Sequence, residues 1–278
     1  MNPSYPVYVI SKGRWQRRQT VRTLQRLGVP FRLVIEPQEL EMYASVVPRE
    51  CILTLPFQEL GLGSIPARNW VWDHSASAGD RRHWILDDNI ESVERFNRNI
   101  KAPLTDGTAF RVIEDWTDRY RNVRMAGMNY SIFCPSRENR PAIRLNTRVY
   151  SCILLCNETT HRWRGRYNED TDLSLRFLKD GDCTALFNAF LIGKRATMTQ
   201  GGGNADIYEQ TDQRREFAQS LVAQHPDVAS MTRKFNRWHH HVDYRRFRGN
   251  TLQRIAPQSP APVNEYGMTL RRKLEAPR

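Results

Sequence analysis

The chain has 278 residues, of which 40% are hydrophobic and 26% charged, and its formal net charge is +12. That length holds one large domain or two small ones around a buried core, and no apolar run approaches the roughly 20 residues that cross a bilayer. The first residues, Met-Asn-Pro-Ser-Tyr, lack the basic and apolar pattern of a secretory leader, so the expected location is the cytoplasm and no membrane partner is expected.

The five cysteines, Cys51, Cys134, Cys152, Cys156 and Cys183, fall mostly in apolar runs and read as reduced core thiols without zinc spacing. The charge is uneven. Between Met231 and Arg278 there are 11 Lys and Arg against 3 Asp and Glu, so +8 of the +12 lies in the last 48 residues. This favours a polyanionic partner, nucleic acid first.

Residues 5–11 (Tyr-Pro-Val-Tyr-Val-Ile-Ser) form a β-branched and aromatic run that predicts a first strand. Lys12, Gly13 and Arg14 follow as a basic turn. Over 16–27, Val21, Leu24 and Leu27 recur at helical spacing, and Gly28 is placed to end the helix. Residues 31–35 predict a second strand closing on Glu36 and Pro37, so the opening is a parallel pair with a right-handed crossover. A short helix is expected over 39–46, a strand over 51–55, a loop over 61–66 and a helix over 67–75. The triplet Ala67-Arg68-Asn69 brings backbone N–H groups and one guanidinium to the crevice of the first turn, which suits a diphosphate. The plain alternative is a solvated helix residue.

A strand over 83–87 delivers Asp87 and Asp88 to its C-terminal end, where side chains leave the core for a crevice. Two carboxylates beside the amide of Asn89 suit a hard divalent cation bridging to phosphate. The alternative is a helix cap or solvated turn. Residues 96–108 are expected to run over the surface. A helix follows over 112–124, with Val112, Trp116 and Tyr120 on one stripe. Strands are expected over 128–133 and 142–156, the second long enough for two.

A basic aromatic loop over 162–167, with Arg162 and Arg164, enters a helix whose first turn holds Glu169, Asp170 and Asp172. Its core stripe is Leu173, Leu175, Phe177 and Leu178, and Gly181 stops it. Acids in a first turn complement the helix dipole, so position alone assigns them no chemistry. A strand is expected over 183–192, a flexible triple-glycine segment over 199–204 and a helix over 208–222. Residues 236–248 interleave Arg237, Arg245, Arg246 and Arg248 with aromatic rings and His239-His240-His241, a pattern that suits phosphate and stacking contacts to DNA. The Pro-rich tail over 257–278 is given no structure. The expected organisation is a domain over 1–230, a basic segment over 231–250 completing the active site or touching DNA, and a tail over 251–278.

In this order the pieces Val-Ile-Ser-Lys-Gly-Arg, Val-Ile-Glu, Ile-Pro-Ala-Arg-Asn, Trp-Ile-Leu-Asp-Asp-Asn, Tyr-Asn-Glu-Asp-Thr-Asp-Leu and Trp-His-His-His-Val-Asp-Tyr cover roughly residues 5–248. The series resembles nucleotide-sugar glycosyltransferases of the GT-A fold and, more narrowly, the TET-associated glycosyltransferases of bacteriophages. The resemblance implies an α/β, GT-A-like (Rossmann-like) chain with a mostly parallel sheet, flanking helices and a basic C-terminal extension. It implies transfer of a sugar from a nucleotide-sugar donor, with UDP-sugar expected, to the hydroxymethyl group of 5-hydroxymethylcytosine in phage DNA. The cytoplasm would then be that of the infected host.

Residue by residue, the resemblance puts Ser11, Lys12 and Arg14 in the nucleotide pocket and Glu36 on the base or ribose. Arg68, Asn69 and Asp87 face the diphosphate or donor sugar. Asp87 and the pair Asp88-Asn89 correspond to the metal motif Asp-any-Asp, with an amide in the third position. Mn2+ or Mg2+ is therefore the implied cofactor, neutralising the departing diphosphate. A late histidine, His239 or His241, would complete the shell. Phosphate contact and plain packing stay open for the triplet, because neighbours on an extended chain point to opposite sides. Likeness to inverting members makes Asp170 the base for the acceptor hydroxyl, with Glu169 orienting the acceptor. That base must be ionised to take the proton. DNA would lie along Arg162, Arg164, Arg237, Arg245, Arg246 and Arg248.

Two other readings stay open at this point. A polysaccharide or protein acceptor does not need the +8 of the C-terminal stretch. A DNA-binding protein whose transferase-like site is dead or structural leaves unexplained why Arg68, Asp87, Asp88 and Asp170 all fall at expected strand ends or helix starts, and a nuclease using Asp87, Asp88 and Glu169 with two metals leaves the nucleotide-binding first turn unexplained.

Overall fold

The computed structural model describes residues 1–165, 167–194, 213–234 and 237–255, together with Val263 and Thr269. A large sheet is built from β1 (Val7–Ile10), β2 (Arg32–Ile35), β3 (Ile52–Thr54), β4 (Arg82–Asp87), β5 (Ile90–Asn97), β6 (Ile100–Pro103), β7 (Val123–Tyr130), β8 (Ile143–Leu145), β9 (Cys152–Cys156) and β10 (Cys183–Lys194). Its order is β3-β2-β1-β4-β9-β7-β10-β5-β6, and β8 also pairs with β10. Strands β1 to β4, β6, β7 and β10 run one way, and β5, β8 and β9 run against them. The sheet is thus mostly parallel, as expected of the fold class.

Strand β1 has β2 on one side and β4 on the other, both parallel to it. The order therefore reverses at β1, and a crevice opens beyond the C-terminal ends of β1 and β4. Ser11 follows β1 there, and Asp87 ends β4.

Helices α1 (Gln19–Arg26), α2 (Leu40–Ala44) and α4 (Thr108–Thr117) cover one face of the sheet, and α3 (Ile65–Ser77) and α5 (Glu169–Lys179) the other. Strand alternation divides the core between these faces. Val7, Val9, Trp84, Leu86 and Leu154 join the first, whereas Tyr8, Ile85, Ile153 and Leu155 join the second. Burying each large apolar side chain contributes about 1.5–3 kcal/mol. The expected stripe Leu173, Leu175, Phe177 and Leu178 of α5 is fully inside. Gly28 and Gly181 end α1 and α5 with φ +63° and +84°, which a β-carbon would oppose.

Several expectations are corrected. Residues 96–108 are no surface excursion: β5 and β6 form a hairpin through Arg98 and Asn99, both with positive φ. An arginine in the first turn position hid that signal. Helix α4 begins at Thr108 and ends at Thr117, and it buries Phe110, Ile113 and Glu114, leaving Val112 at the surface. The Phe110 side offers more apolar area than the Val112–Trp116–Tyr120 stripe. Glu114 is satisfied inside by Trp84 Nε1 at 2.8 Å and Ser4 N at 2.7 Å. The long 142–156 run is two strands, β8 and β9.

After α6 (Gln213–Gln224), strands β11 (Ala229–Lys234) and β12 (Arg237–Val242) pair as a separate antiparallel hairpin, so the expected boundary after residue 230 falls inside β11. Leu221 of α6, Val228 and Phe247 pack on Leu175 and Leu178 of α5. The 199–204 segment and most of the tail lie outside the described residues.

Gly127 marks a close approach between backbones in the sheet. A Cβ there would run into the Cys152 carbonyl oxygen and Val149 Cγ1. Gly127→Ala is expected to destabilise the protein by about 1–3 kcal/mol or more, because backbone cannot rotate away as a side chain can. Denaturant unfolding with an unchanged m-value would measure it, and a midpoint equal to wild type would contradict it.

Candidate active site

The crevice at the reversal is a cleft of about 380 Å³. It is lined from β1 and its turn (Ser11, Lys12, Arg14), α3 (Arg68), β4 (Asp87, then Asp88 and Asn89), the start of α5 (Glu169, Asp170) and the end of β10 (Lys194). These five separate stretches of chain meet here because the sheet aligns their ends.

At the centre is Asp87. Its Oδ1 accepts from Arg68 Nη2 at 3.0 Å, and its Oδ2 accepts from Ser151 Oγ at 2.6 Å and Lys194 Nζ at 2.7 Å. Burial would raise this carboxyl, but the Lys194 ammonium and the Arg68 guanidinium hold it far below the usual carboxylate range. Ser151, at φ 59°, also accepts from Lys194 at 2.8 Å and bonds the Tyr130 hydroxyl at 2.6 Å. Burial pushes the Tyr130 phenol up to about 12, so it stays protonated. The Lys194 ammonium lies 5.6 Å from the Tyr130 ring centroid.

Arg68 joins the two acidic positions. Its Nη1 lies 3.3 Å from Asp170 Oδ1 while Nη2 holds Asp87, and its guanidinium stacks 4.6 Å over the Trp163 ring. Burial raises the Asp170 carboxyl to about 7, against the lowering effect of Arg68 and with the negative charges of Glu169 and Asp87 adding to it. Asp170 therefore titrates close to neutrality, where a general base works best. Base action by itself requires only an ionised group, so the raised pKa is a feature of the fold that the first-turn position does not announce.

Asp172, in the same helical turn, faces away. It is buried and bonded to Arg164, Arg176 and His225. Burial would raise it, yet His225 and the two arginines hold it at about 2. This explains why one of three first-turn acids is structural.

The wall formed by the turn after β1 is ordered and polar. Lys12 Nζ lies 3.0 and 2.9 Å from the Glu36 oxygens. Ser11 Oγ donates to Asp88 Oδ2 at 2.8 Å and meets the Tyr43 hydroxyl at 2.6 Å. Arg14 pairs with the other Asp88 oxygen. Burial raises the Asp88 carboxyl in spite of Arg14. Asn69 does not line the cleft: its amide clamps the Trp163 backbone, with Nδ2 to O and Oδ1 to N both at 2.9 Å.

The expected divalent-ion site fits these residues poorly. Both oxygens of Asp87 face cations, and those of Asp88 are bonded by Arg14 and Ser11. Asn89 Oδ1, the remaining side-chain acceptor of this triplet, is buried without a hydrogen-bond partner among the described residues. His239 and His241 sit on β12, paired with Thr232 and Ser230, and do not line the cleft. Among the described residues no group of three His, Cys, Asp or Glu is arranged to hold a metal. His239 and His240 are half-buried and His241 is exposed. Burial and then Arg148 lower the pKa of His240 to about 4.

Of the arginines assigned to DNA, Arg162 pairs with Asp73, Arg164 with Asp172 and Arg245 with Asp243. Arg237, Arg246 and Arg248 are exposed. None of the six lines this cleft or the one that adjoins it. Instead a second cleft of about 370 Å³ adjoins the first and shares Tyr130, Phe133 and Tyr150 with it, and it is lined by Arg140, Arg144 and Arg148. Arg148 stacks 5.1 Å over the Tyr150 ring. The residues that sequence reasoning missed are thus Lys194, Ser151, Tyr130, Tyr150 and these three arginines. For Lys194 the only signal was a lysine closing a long apolar strand.

The family model described as TET-Associated Glycosyltransferase matches residues 5–203, a span that contains every residue of the Asp87 cluster. No curated protein matches the chain.

Proposed function

The chain belongs to the TET-associated glycosyltransferase family, and from that premise we propose that it moves a sugar from a nucleoside-diphosphate donor, a UDP-sugar first, onto the hydroxymethyl group of a modified pyrimidine in DNA, 5-hydroxymethylcytosine first. The nucleotide occupies the turn after β1, with Glu36 and Lys12 toward base and ribose and Arg68 toward the diphosphate. Asp170 accepts the proton of the acceptor hydroxyl as its oxygen attacks the anomeric carbon. The bond to the phosphate oxygen breaks, and its electron pair leaves with the nucleoside diphosphate. A single displacement with an external base inverts the anomeric centre.

What supports a DNA acceptor is the second cleft with its shared aromatic wall. A base must leave the stack to reach an enzyme's reacting group. Tyr130, Phe133 and Tyr150 provide ring faces between the two cavities, while Arg140, Arg144 and Arg148 provide charge for the flanking phosphates. The test mixes the full chain with hydroxymethylcytosine DNA, hydroxymethyluracil DNA and unmodified DNA, each with a panel of nucleotide sugars, and reads digested nucleosides by mass spectrometry. A sugar-sized mass gain on a hydroxymethylated base alone supports the proposal. Donor hydrolysis without gain on any DNA would reject the acceptor and keep the transferase.

Arg144 is exposed, so Arg144→Glu should fold normally. It is expected to weaken DNA binding and flatten the salt dependence of log K by about one unit of slope. An unchanged slope would remove Arg144 from the DNA path.

A further inference from the structure

We infer that this transferase works without a divalent metal, and that Lys194 with Arg68 supplies the positive charge that receives the departing diphosphate. The inference rests on the nucleotide-sugar reading above and adds a residue and a cofactor requirement to it.

Lys194 ends β10, opposite Ile90 in the β5 register, so it stands beside the Asp87-Asp88-Asn89 turn. Its side chain is only 13% exposed and lines the donor cleft. An ammonium has three donors. Among the described residues two go to Asp87 Oδ2 at 2.7 Å and Ser151 Oγ at 2.8 Å, which leaves one N–H for a phosphate oxygen. Ser151 in turn is held by Tyr130, and Asp87 by Arg68 on its other oxygen. The ammonium is therefore fixed by a carboxylate, a hydroxyl and a ring face rather than swinging on a flexible stem.

The same geometry works against a metal. Magnesium binds carboxylate oxygen at about 2.0–2.1 Å and keeps near-octahedral oxygen ligation. At Asp87 it would have to share each oxygen with a cation already 2.7 or 3.0 Å away. Asp88 is drawn to Arg14, Ser11 and, through Ser11, Tyr43. Position 89, the third of the motif, is an amide. Its unpartnered Oδ1 suits a donor-sugar hydroxyl, which can give it a proton.

Lys194 and Arg68 together carry two positive charges, as a divalent ion does. Preorganised cations aimed at developing charge lower the barrier to its separation. The electron pair of the broken carbon–oxygen bond goes to the terminal phosphate oxygen, whose new charge these cations meet. The acceptor proton goes to Asp170, and Lys194 keeps its own.

The test uses the full chain stripped with EDTA. Calorimetry titrates it with UDP, dTDP, GDP, ADP and CDP and with the matching monophosphates, with and without Mn2+. Manganese resonance spectra report any ion bound with the nucleotide. The expected result is one diphosphate bound at least ~10-fold tighter than its monophosphate without metal, and no manganese held by the complex. Lys194→Met should lose about 10- to 100-fold in diphosphate affinity while monophosphate affinity and circular dichroism stay unchanged. Lys194→Arg should retain most of the preference. A diphosphate preference that appears only with manganese would overturn the inference, as would a Lys194→Met protein with the wild-type preference. If no nucleotide of either series binds, the donor reading fails and this inference falls with it.

Discussion

Asp170→Asn is expected to abolish most sugar transfer, lowering kcat by about 10²- to 10⁴-fold while donor affinity stays close to wild type. The amide keeps the shape of the carboxyl and can still accept from Arg68 Nη1, but it cannot take a proton. Its pH behaviour is the sharper part. Because burial raises the wild-type group to about 7, transfer should climb with pH through that value and level off above it, once the base is ionised. The variant should lack this inflection.

Stability moves the opposite way. Between the ordinary carboxylate range and about 7 the folded protein holds a proton on Asp170 that the unfolded chain has released. The contribution of this group to stability is therefore complete below the unfolded pKa and declines as pH rises through that window. Thermal unfolding followed from pH 5 to 8 should fall less steeply in Asp170→Asn than in wild type. A variant that transfers at the wild-type rate would move the base to Glu169 or elsewhere.

Arg68→Met is expected to cost about 3–5 kcal/mol of stability, the usual result of leaving buried charge without its partner. Arg68 is 5% exposed and holds Asp87 and Asp170 on the two arms of one guanidinium. Asp87 would keep Lys194 as a direct partner, but Asp170 would keep only the weaker pull of Lys194 against the negative charges of Glu169 and Asp87. Its pKa should then rise further, because the first charge lowering it is gone. Loss of fold and loss of function can be separated by the pH profile. The remaining transfer should have its inflection moved to higher pH, which a merely less stable protein would not show. An unfolding midpoint equal to wild type, or an unmoved inflection, would mean that the two acids are not coupled through Arg68.

Both results depend on contacts between distant parts of the chain, and that decides how far the sequence could reach. The strand and helix starts were legible where residue chemistry acts locally. Val-Tyr-Val-Ile followed by a basic turn fixed β1, and the apolar run into Asp87 fixed β4. Leu173, Leu175, Phe177 and Leu178 fixed α5. From these the α/β class and the crevice followed, with Arg68 and Asp87 at it, and the family resemblance added Ser11, Lys12, Arg14, Glu36 and Asp170; all seven line the cleft. Asn69 shows the limit of such locality. It follows Arg68 directly, but one step along a helix turns a side chain by roughly 100°, and its amide serves the Trp163 backbone instead.

Charge partners were decided only in three dimensions. Glu169, Asp170 and Asp172 look alike in a first turn. Asp172 pairs with Arg164 and Arg176 and is hydrogen-bonded to His225, 53 residues away, and Asp170 is raised by burial beside Arg68, 102 residues away. Lys194 meets Asp87 across 107 residues, because β10 runs past β7 to pair with β5. Nothing local to either residue encodes that meeting. Periodicity reports which face of an element is apolar, and so the sequence by itself determined the layers and the strand ends. Which ionisable groups share a dielectric and a partner is set by strand order and register, and so the tertiary structure alone set Asp170 apart from Asp172 and brought the Lys194 ammonium to Asp87.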